Sequence, residues 1–172
     1  MNVFLVGPMG SGKSAVGRQL AQRLALEFID SDDEIESRTG VDSSYIFERE
    51  GEAGFRQREA EVIDAISRRD RVLVSTGGGA ILDASTRERL RARGRVVYLR
   101  TSVDQQLART RRSNDRPLLN NDDPRGTLER LFEQRAPLYT EVAEIVVDTD
   151  GRKVKTVVDQ ICHQLGVEGL EP

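Results

Sequence analysis

The chain has 172 residues, a length that suits one compact domain with a core of its own. Its 26 basic and 29 acidic side chains leave a net charge of −3, which gives no support for a polyanion partner such as nucleic acid. One cysteine and one histidine exclude an internal disulfide, a thiolate zinc cluster and a multi-histidine metal site.

Predicted strands and helices alternate along the chain. Short runs rich in Val, Ile and aromatic residues predict strands, and apolar residues at a spacing near 3.6 predict the helices between them. This alternation is typical of a parallel sheet covered on both faces, so we expect an α/β fold. The predicted strands are residues 3–6, 27–30, 72–75, 96–99 and 145–147.

The first predicted strand runs directly into GPMGSGKS at residues 7–14, which matches the phosphate-binding P-loop pattern in full. Its glycines let the backbone wrap closely around phosphate oxygens, and the N–H groups form an anion site where the next helix begins. We expect Lys13 to reach the β- and γ-phosphates and the Ser14 hydroxyl to ligate Mg²⁺. The segment therefore predicts binding of a nucleoside triphosphate.

The second predicted strand ends in the acidic sequence DSD at residues 30–32. A parallel sheet has its ligand crevice at the carboxyl ends of the strands. One of the two acids can therefore face a metal ion, while the other faces a substrate hydroxyl and accepts its proton. Alternatively the run caps a helix, because Asp and Ser are favoured there. The two interpretations are compatible for different members of the run.

Two weaker features follow. Arg56 comes after Phe55, close to a predicted helix start, and taken alone it is better explained as a surface charge. Three consecutive glycines, residues 77–79, follow the third predicted strand. Because such glycines are costly to order, they indicate a close approach of the backbone to a ligand or an abrupt turn.

Residues 111–124 interrupt the alternation of strands and helices. They are mostly polar, and the helix before them cannot continue through Pro117. A polar stretch of this length is uncommon inside a compact domain unless it is a functional loop or disordered, and we interpret it as a lid. The helix that follows it ends near RAPLY at residues 135–139, where Arg135 is either a site residue or another surface arginine.

Taken together, these motifs resemble those of the shikimate kinases, from Val3 to about Leu165. The motifs are GPMGSGKS, DSD at 30–32, FR at 55–56, GGG at 77–79, RPLL at 116–119 and RAPLY at 135–139. The resemblance implies a single domain over residues 1–172 with the three-layer, nucleoside-monophosphate-kinase-like P-loop fold. Its five-stranded parallel sheet has the order 2-3-1-4-5, with a substrate-binding segment at about 31–61 and a lid loop at about 111–124.

The resemblance also implies the activity, which is ATP-dependent phosphorylation of the shikimate 3-hydroxyl in aromatic amino-acid biosynthesis. By the same resemblance, Asp32 binds the substrate hydroxyls and is the expected base, and Arg56 and Arg135 hold the carboxylate. Two arginines suit this task because a guanidinium grips a carboxylate with two parallel hydrogen bonds. The backbone contacts to the substrate are expected from Gly77, Gly78 and Gly79.

On the nucleotide side, the resemblance implies that Lys13 and Arg116 compensate the charge of the transferring phosphoryl group, Arg116 acting from the lid. Ser14 and Asp30 lie near Mg²⁺, and Arg109 and Arg152 flank the adenine. The residues expected to contact ATP are Gly10, Ser11, Gly12, Lys13, Ser14, Ala15, Arg109, Arg116 and Arg152.

The nearest alternative is a kinase for another small polyol acid such as gluconate, which shares the P-loop and the fold but is disfavoured by the combined DSD, FR, GGG and RPLL motifs. A non-catalytic nucleotide-binding module is expected to lack an acceptor-site acid or a lid arginine, yet Asp32 and Arg116 are both present. A nucleoside monophosphate kinase needs a base-recognition pocket, of which the sequence shows no sign.

The apolar runs of the chain are far shorter than the ~20 residues of a membrane span. The first of them begins at Val3, which leaves no room for a signal peptide before it. We therefore expect a cytoplasmic monomer that binds shikimate and ATP and has neither a membrane nor a nucleic-acid partner.

Overall fold

The computed structural model describes residues 1–110 and 122–167. The predicted strands are confirmed, with the fourth longer by one residue at each end and the fifth longer by one at its carboxyl end. The elements are β1 Val3–Val6, α1 Lys13–Leu24, β2 Glu27–Asp30, α2 Ser31–Thr39, α3 Ser43–Ser67, β3 Val72–Ser75, α4 Ala84–Arg93, β4 Arg95–Arg100, α5 Val103–Thr110, α6 Pro124–Val142, β5 Ile145–Asp148 and α7 Val154–Leu165.

All five strands are parallel and lie in the order β2-β3-β1-β4-β5, which confirms the predicted topology. The register aligns the carboxyl ends of three strands, because both Leu5 of β1 and Asp30 of β2 pair with Ser75 of β3. The P-loop, the acidic run and the glycine triplet each follow one of these ends. Three motifs that are far apart in sequence therefore start side by side at one edge of the sheet.

The sheet separates two apolar layers. Successive side chains of β1 point to opposite faces, so that Phe4 and Val6 join one cluster while Val3 and Leu5 join the other. Helices α3, α4 and α6 cover the first face, and α1 and α7 cover the second. Within the two described ranges, no helix has both the length and the apolar content that a membrane span requires.

Helix α3 bends at Gly51, where φ is 73° and ψ is −179°. A residue with a side chain rarely adopts this conformation, so a glycine stands where the helical path is interrupted. The part after the bend packs its predicted apolar stripe onto the sheet, since Phe55, Val62, Ile63 and Ile66 are all buried. The packed stripe holds the second half of α3 against the core and brings Arg56 to the carboxyl edge of the sheet.

Candidate active site

A cavity of about 650 Å³ opens at the carboxyl edge of the sheet. It is lined by the P-loop, the acidic run, the glycine triplet and residues of α3, α5 and α6. This is the crevice expected for a parallel α/β sheet. The predicted site residues that line it are Gly10, Gly12, Lys13, Ser14, Ala15, Asp30, Asp32, Arg56, Gly77, Gly78, Gly79, Arg109 and Arg135.

Three predicted residues are not among those that line the cavity. Ser11 is buried within the P-loop, and its Oγ lies 3.4 Å from Lys13 Nζ. Arg152 is exposed and donates a hydrogen bond to the side chain of Gln160. Arg116 lies outside the described residues, as do the RPLL motif and most of the predicted lid.

The P-loop adopts a backbone shape that favours glycine at three points, because Gly7, Gly10 and Gly12 all have a positive φ. Gly10 and Gly12 have φ of 76° and 85°, in the left-handed region. Gly12 is also the N-cap of α1 and carries no side chain to bond the first-turn N–H groups. These N–H groups and the positive end of the helix dipole are therefore available to an anion at this edge of the cavity.

The Lys13 ammonium lies at the centre of this loop. Its Nζ is 2.8 Å from both Gly7 O and Pro8 O, so it donates to carbonyl groups of its own loop. A phosphate bound in the loop would compete for these donors. Lys13 thus lines the cavity at the P-loop, and its contact with the β- and γ-phosphates stays a prediction.

Asp30 serves two purposes at the end of β2. Its Oδ1 accepts hydrogen bonds from the backbone N–H groups of Asp32 and Asp33, at 2.9 and 3.1 Å, which makes it the N-cap of α2. Its Oδ2 accepts from Ser14 Oγ at 3.1 Å. The helix-cap interpretation is thus confirmed for Asp30, and its role toward a metal ion stays a prediction. A hydroxyl and a carboxylate at one point are the hard oxygen donors that Mg²⁺ prefers, so this pair fits the predicted ion.

The two predicted carboxylate-binding arginines lie at the other end of the cavity. Arg135 is only 4% exposed, and the Arg56 side chain is 20% exposed, so neither is an ordinary surface charge. The Nε atoms of both are buried and have no hydrogen-bond partner among the described residues. Buried cationic donors that lack an acceptor are costly, and an anionic group in the cavity would satisfy them.

Glu59 is a site residue that the sequence analysis missed. Its carboxylate is 2% exposed and accepts a hydrogen bond of 2.9 Å from Arg56 Nη1. Burial raises the pKa of Glu59 to about 7, because the loss of solvation outweighs the lowering by Arg56, and Asp32 nearby raises it further. A signal was present, since Glu59 stands in the apolar stripe of α3, four residues after Phe55.

The glycine triplet at 77–79, here called the glycine segment, packs closely against site side chains at Gly77 and Gly79. A Cβ atom at Gly77 would lie 2.6 Å from Glu59 Oε2 and 2.9 Å from Asp32 Oδ1, and one at Gly79 would overlap the Arg56 guanidinium. None of the three has a positive φ, so the requirement is for space and not for an unusual backbone. The backbone of the glycine segment thus comes close to side chains of the site itself.

Other groups complete the walls. The rings of Phe47 and Phe55 pack with centroids 4.6 Å apart and line the cavity, giving the arginine end an apolar wall. Arg109 of α5 donates to Gly10 O at 2.9 Å, which places it beside the P-loop. The cavity therefore has a phosphate-binding end and a second end that combines cations, carboxylates and apolar surface.

Comparison with known proteins gives a consistent result. The family model for shikimate kinase matches residues 9–166. The shikimate kinase of Shewanella amazonensis is 55% identical over 165 residues, which are 96% of each chain. The structure of shikimate kinase from Acinetobacter baumannii in complex with shikimate has a TM-score of 0.94 and 46% identity, and the match covers 99% of this chain and 95% of that one. Deoxyadenosine kinase from M. mycoides shares the fold at a TM-score of 0.63 and 15% identity, with the match covering 96% of this chain and 100% of that one.

Proposed function

The chain belongs to the shikimate kinase family, and we propose that Lys13, Asp32, Arg56 and Arg135 carry out its ATP-dependent phosphorylation of the shikimate 3-hydroxyl. The observation that carries this proposal is the composition of the second end of the cavity. The Nε atoms of Arg56 and Arg135 there are buried and have no hydrogen-bond partner among the described residues, although Glu52 Oε1 lies 3.7 Å from that of Arg56. The acceptor-site acid Asp32 lines the same cavity. This arrangement suits a small anion with several hydroxyl groups.

Each end of the cavity has its own task in the proposed reaction. Shikimate binds with its carboxylate between Arg56 and Arg135, and its ring carbons lie against the apolar wall. The P-loop holds the ATP phosphates, and the acceptor hydroxyl then faces the γ-phosphoryl group. Phosphoryl transfer asks for positioning and charge compensation more than for covalent chemistry, and both are available from these groups.

Asp32 orients the attacking hydroxyl and accepts its proton, and Lys13 stabilises the charge on the transferring phosphoryl oxygens. Ser14 and Asp30 are the residues that would hold Mg²⁺. When bound there, the ion would neutralise charge on the phosphate groups. Arg109 is proposed to contact the nucleotide beside the P-loop, with Gly10, Ser11, Gly12 and Ala15 supplying backbone contacts.

The remaining roles are proposed from the sequence motifs. Arg116 is assigned to the ATP phosphates from the lid, where it would also help to exclude water during transfer. Arg152 is assigned to the adenine side. We further propose that the chain acts as a monomeric single domain, which size-exclusion chromatography with light scattering would test.

The direct test of function is a coupled assay of ADP release with ATP and Mg²⁺. The acceptors are shikimate, gluconate and AMP at equal concentrations. We expect shikimate to react far faster than the other two. Turnover of gluconate at the rate of shikimate would contradict the assignment of the acceptor site and favour a polyol-acid kinase. Turnover of none of them would favour a non-catalytic module.

A further inference from the structure

The glycine segment is held by two side chains that do not line the cavity. Ser31 Oγ accepts a hydrogen bond of 3.0 Å from the Gly77 N–H, and the Tyr139 hydroxyl donates to Gly78 O. Ser31 is fully buried and Tyr139 is 2% exposed. Neither side chain is among those that line the cavity, so neither is placed to touch a substrate.

We propose that Ser31 and Tyr139 are positioning residues, which hold the glycine segment so that Asp32, Arg56 and Arg135 keep the geometry that the reaction needs. This inference rests on the proposed function, because it assigns a kinetic role to residues behind the acceptor site. A positioning role differs from a packing role, because loss of the hydroxyl should change one kinetic constant of the reaction, and a different constant for each of the two residues.

The position of the glycine segment matters because it packs against all three charged groups of the acceptor site. A Cβ atom placed on Gly77 would meet Asp32, and one placed on Gly79 would overlap the Arg56 guanidinium. A Cβ atom on Gly78 would lie 3.5 Å from Arg135 Nη1. A small shift of this backbone would therefore displace the carboxylate or a guanidinium, and small misplacements are costly to catalysis.

Each hydrogen bond joins the glycine segment to an element that carries one of these groups. Ser31 stands directly before Asp32 in the first turn of α2, so its bond couples the proposed base to Gly77. Tyr139 lies one helical turn after Arg135 on α6, so its bond couples that helix to Gly78. The two bonds thus fix the glycine segment to the proposed base, Asp32, on one side and to the helix that carries Arg135 on the other.

The Tyr139 hydroxyl is itself well fixed. Its ring packs on that of Tyr98 with the centroids 5.0 Å apart, which sets its orientation. Burial raises the pKa of Tyr139, so the hydroxyl stays protonated and donates throughout the neutral range. Without this donor, Gly78 O would lose the hydrogen bond that holds it.

The first experiment compares Tyr139→Phe with Tyr98→Phe, which removes a hydroxyl from the other, equally buried ring of the same pair. We expect Tyr139→Phe to raise the shikimate KM about 5- to 50-fold, the range for loss of one hydrogen bond at a buried group. Its ATP KM should stay within about twofold, and Tyr98→Phe should keep both constants. An unchanged shikimate KM in Tyr139→Phe, or the same rise in Tyr98→Phe, would overturn the role of Tyr139.

The second experiment compares Ser31→Ala with Ser67→Ala, a buried serine at the far end of α3. Because Ser31 adjoins the proposed base, Ser31→Ala should mainly lower kcat, by about 5- to 50-fold. Ser67→Ala should keep kcat. Normal kcat in Ser31→Ala, or an equal loss in Ser67→Ala, would overturn the role of Ser31. If Ser31→Ala does not fold, the Tyr139→Phe comparison decides the proposal.

Amide hydrogen exchange separates this inference from the proposed function, because it needs neither substrate nor activity. The Gly77 N–H should exchange faster in Ser31→Ala than in the wild-type protein, and Ser67→Ala should match the wild type. Unchanged exchange at Gly77 would overturn the positioning role. Failure of the wild-type protein to phosphorylate shikimate would instead contradict the proposed function and leave the exchange result standing.

Discussion

Arg56 donates a hydrogen bond of 2.9 Å to Glu59, three residues later on α3, and the Glu59 carboxylate is almost completely buried. A carboxylate at such a site is costly unless it is paired or protonated. The pair therefore fixes the Arg56 guanidinium, which is proposed to bind the substrate carboxylate. Burial keeps the pKa of Glu59 above its usual value.

The first prediction concerns pH and Glu59. Its pKa of about 7 in the folded chain lies above its usual value of 4.5, so the folded state binds the extra proton between these values. Stability contributed by this group is then present at low pH and is lost as the pH rises from about 4.5 to 7. Glu59→Gln cannot titrate, and relative to it the wild-type protein should lose about 3 kcal/mol between pH 4.5 and 8.

The measurement is urea unfolding of both proteins across this pH range, with Glu61→Gln as the control. Glu61 is an exposed residue of the same helix, so its replacement should leave the pH profile of stability unchanged. If the difference in free energy of unfolding between the wild-type protein and Glu59→Gln does not vary with pH, Glu59 has an ordinary pKa.

The second prediction concerns Lys13. Lys13→Ala removes the ammonium that lies at the centre of the P-loop, so kcat should fall strongly while the fold survives. The range of ~10³–10⁵ known for arginine fingers is an upper guide to the loss. Steady-state kinetics and circular dichroism measure the two effects, with the exposed Lys155→Ala as control. A folded Lys13→Ala enzyme with normal kcat would remove Lys13 from the mechanism.

The third prediction concerns Asp32. Asp32→Asn keeps the shape and much of the hydrogen bonding but removes the base and its charge, so the loss should appear mainly in kcat. Binding of ATP should change little, because the P-loop is a separate part of the cavity. Kinetics at saturating ATP and calorimetry of nucleotide binding test both points. Full kcat in this variant would mean that the reaction needs no base at Asp32.

The fourth prediction concerns Arg56. A substrate carboxylate is present before and during transfer, so a contact to it should change KM and leave kcat nearly constant. Arg56→Ala should raise the shikimate KM by roughly one to two decades, since a charge-assisted hydrogen bond contributes about 1.5–3 kcal/mol. The control is Arg58→Ala, which removes an exposed arginine of α3 paired with Glu50. A lower kcat with an unchanged shikimate KM would contradict the proposed binding of the substrate carboxylate by Arg56.

The fifth prediction concerns the proposed metal site. Ser14→Ala removes the hydroxyl that lies 3.1 Å from Asp30, so half-maximal activity should require a higher Mg²⁺ concentration. A chelator should abolish the activity of the wild-type enzyme, and added Mg²⁺ should restore it. Ser85→Ala, an exposed serine of α4, serves as the control. The same Mg²⁺ dependence in Ser14→Ala and the wild type would exclude Ser14 as a ligand.

Much of the fold is readable from the sequence because its signals are local. Four strands of the sheet are built on contiguous apolar runs, whereas β2 offers only Phe28 and Ile29 between two acidic residues. The P-loop needs its residues at fixed spacing in one short segment. The strand order, in contrast, was an implication of the family resemblance, and the register of β1, β2 and β3 confirms it. The same resemblance named Asp32, Arg56 and Arg135, which the structure brings to one cavity.

Only the tertiary structure decided how the site is supported. Ser31 and Tyr139 bond to the glycine segment, which comes from another element, so no local pattern assigns them these partners. The pair of Arg56 and Glu59 is a local contact within α3, but its burial depends on the fold. Likewise, the sequence predicted both Arg135 and Arg152 as site residues, but the structure buries the first beside the glycine segment and leaves the second exposed beside Gln160. Local periodicity specifies the helices and strands. Burial and charge pairing depend on which helices and strands come into contact, and these contacts form when the parallel strands align their carboxyl ends.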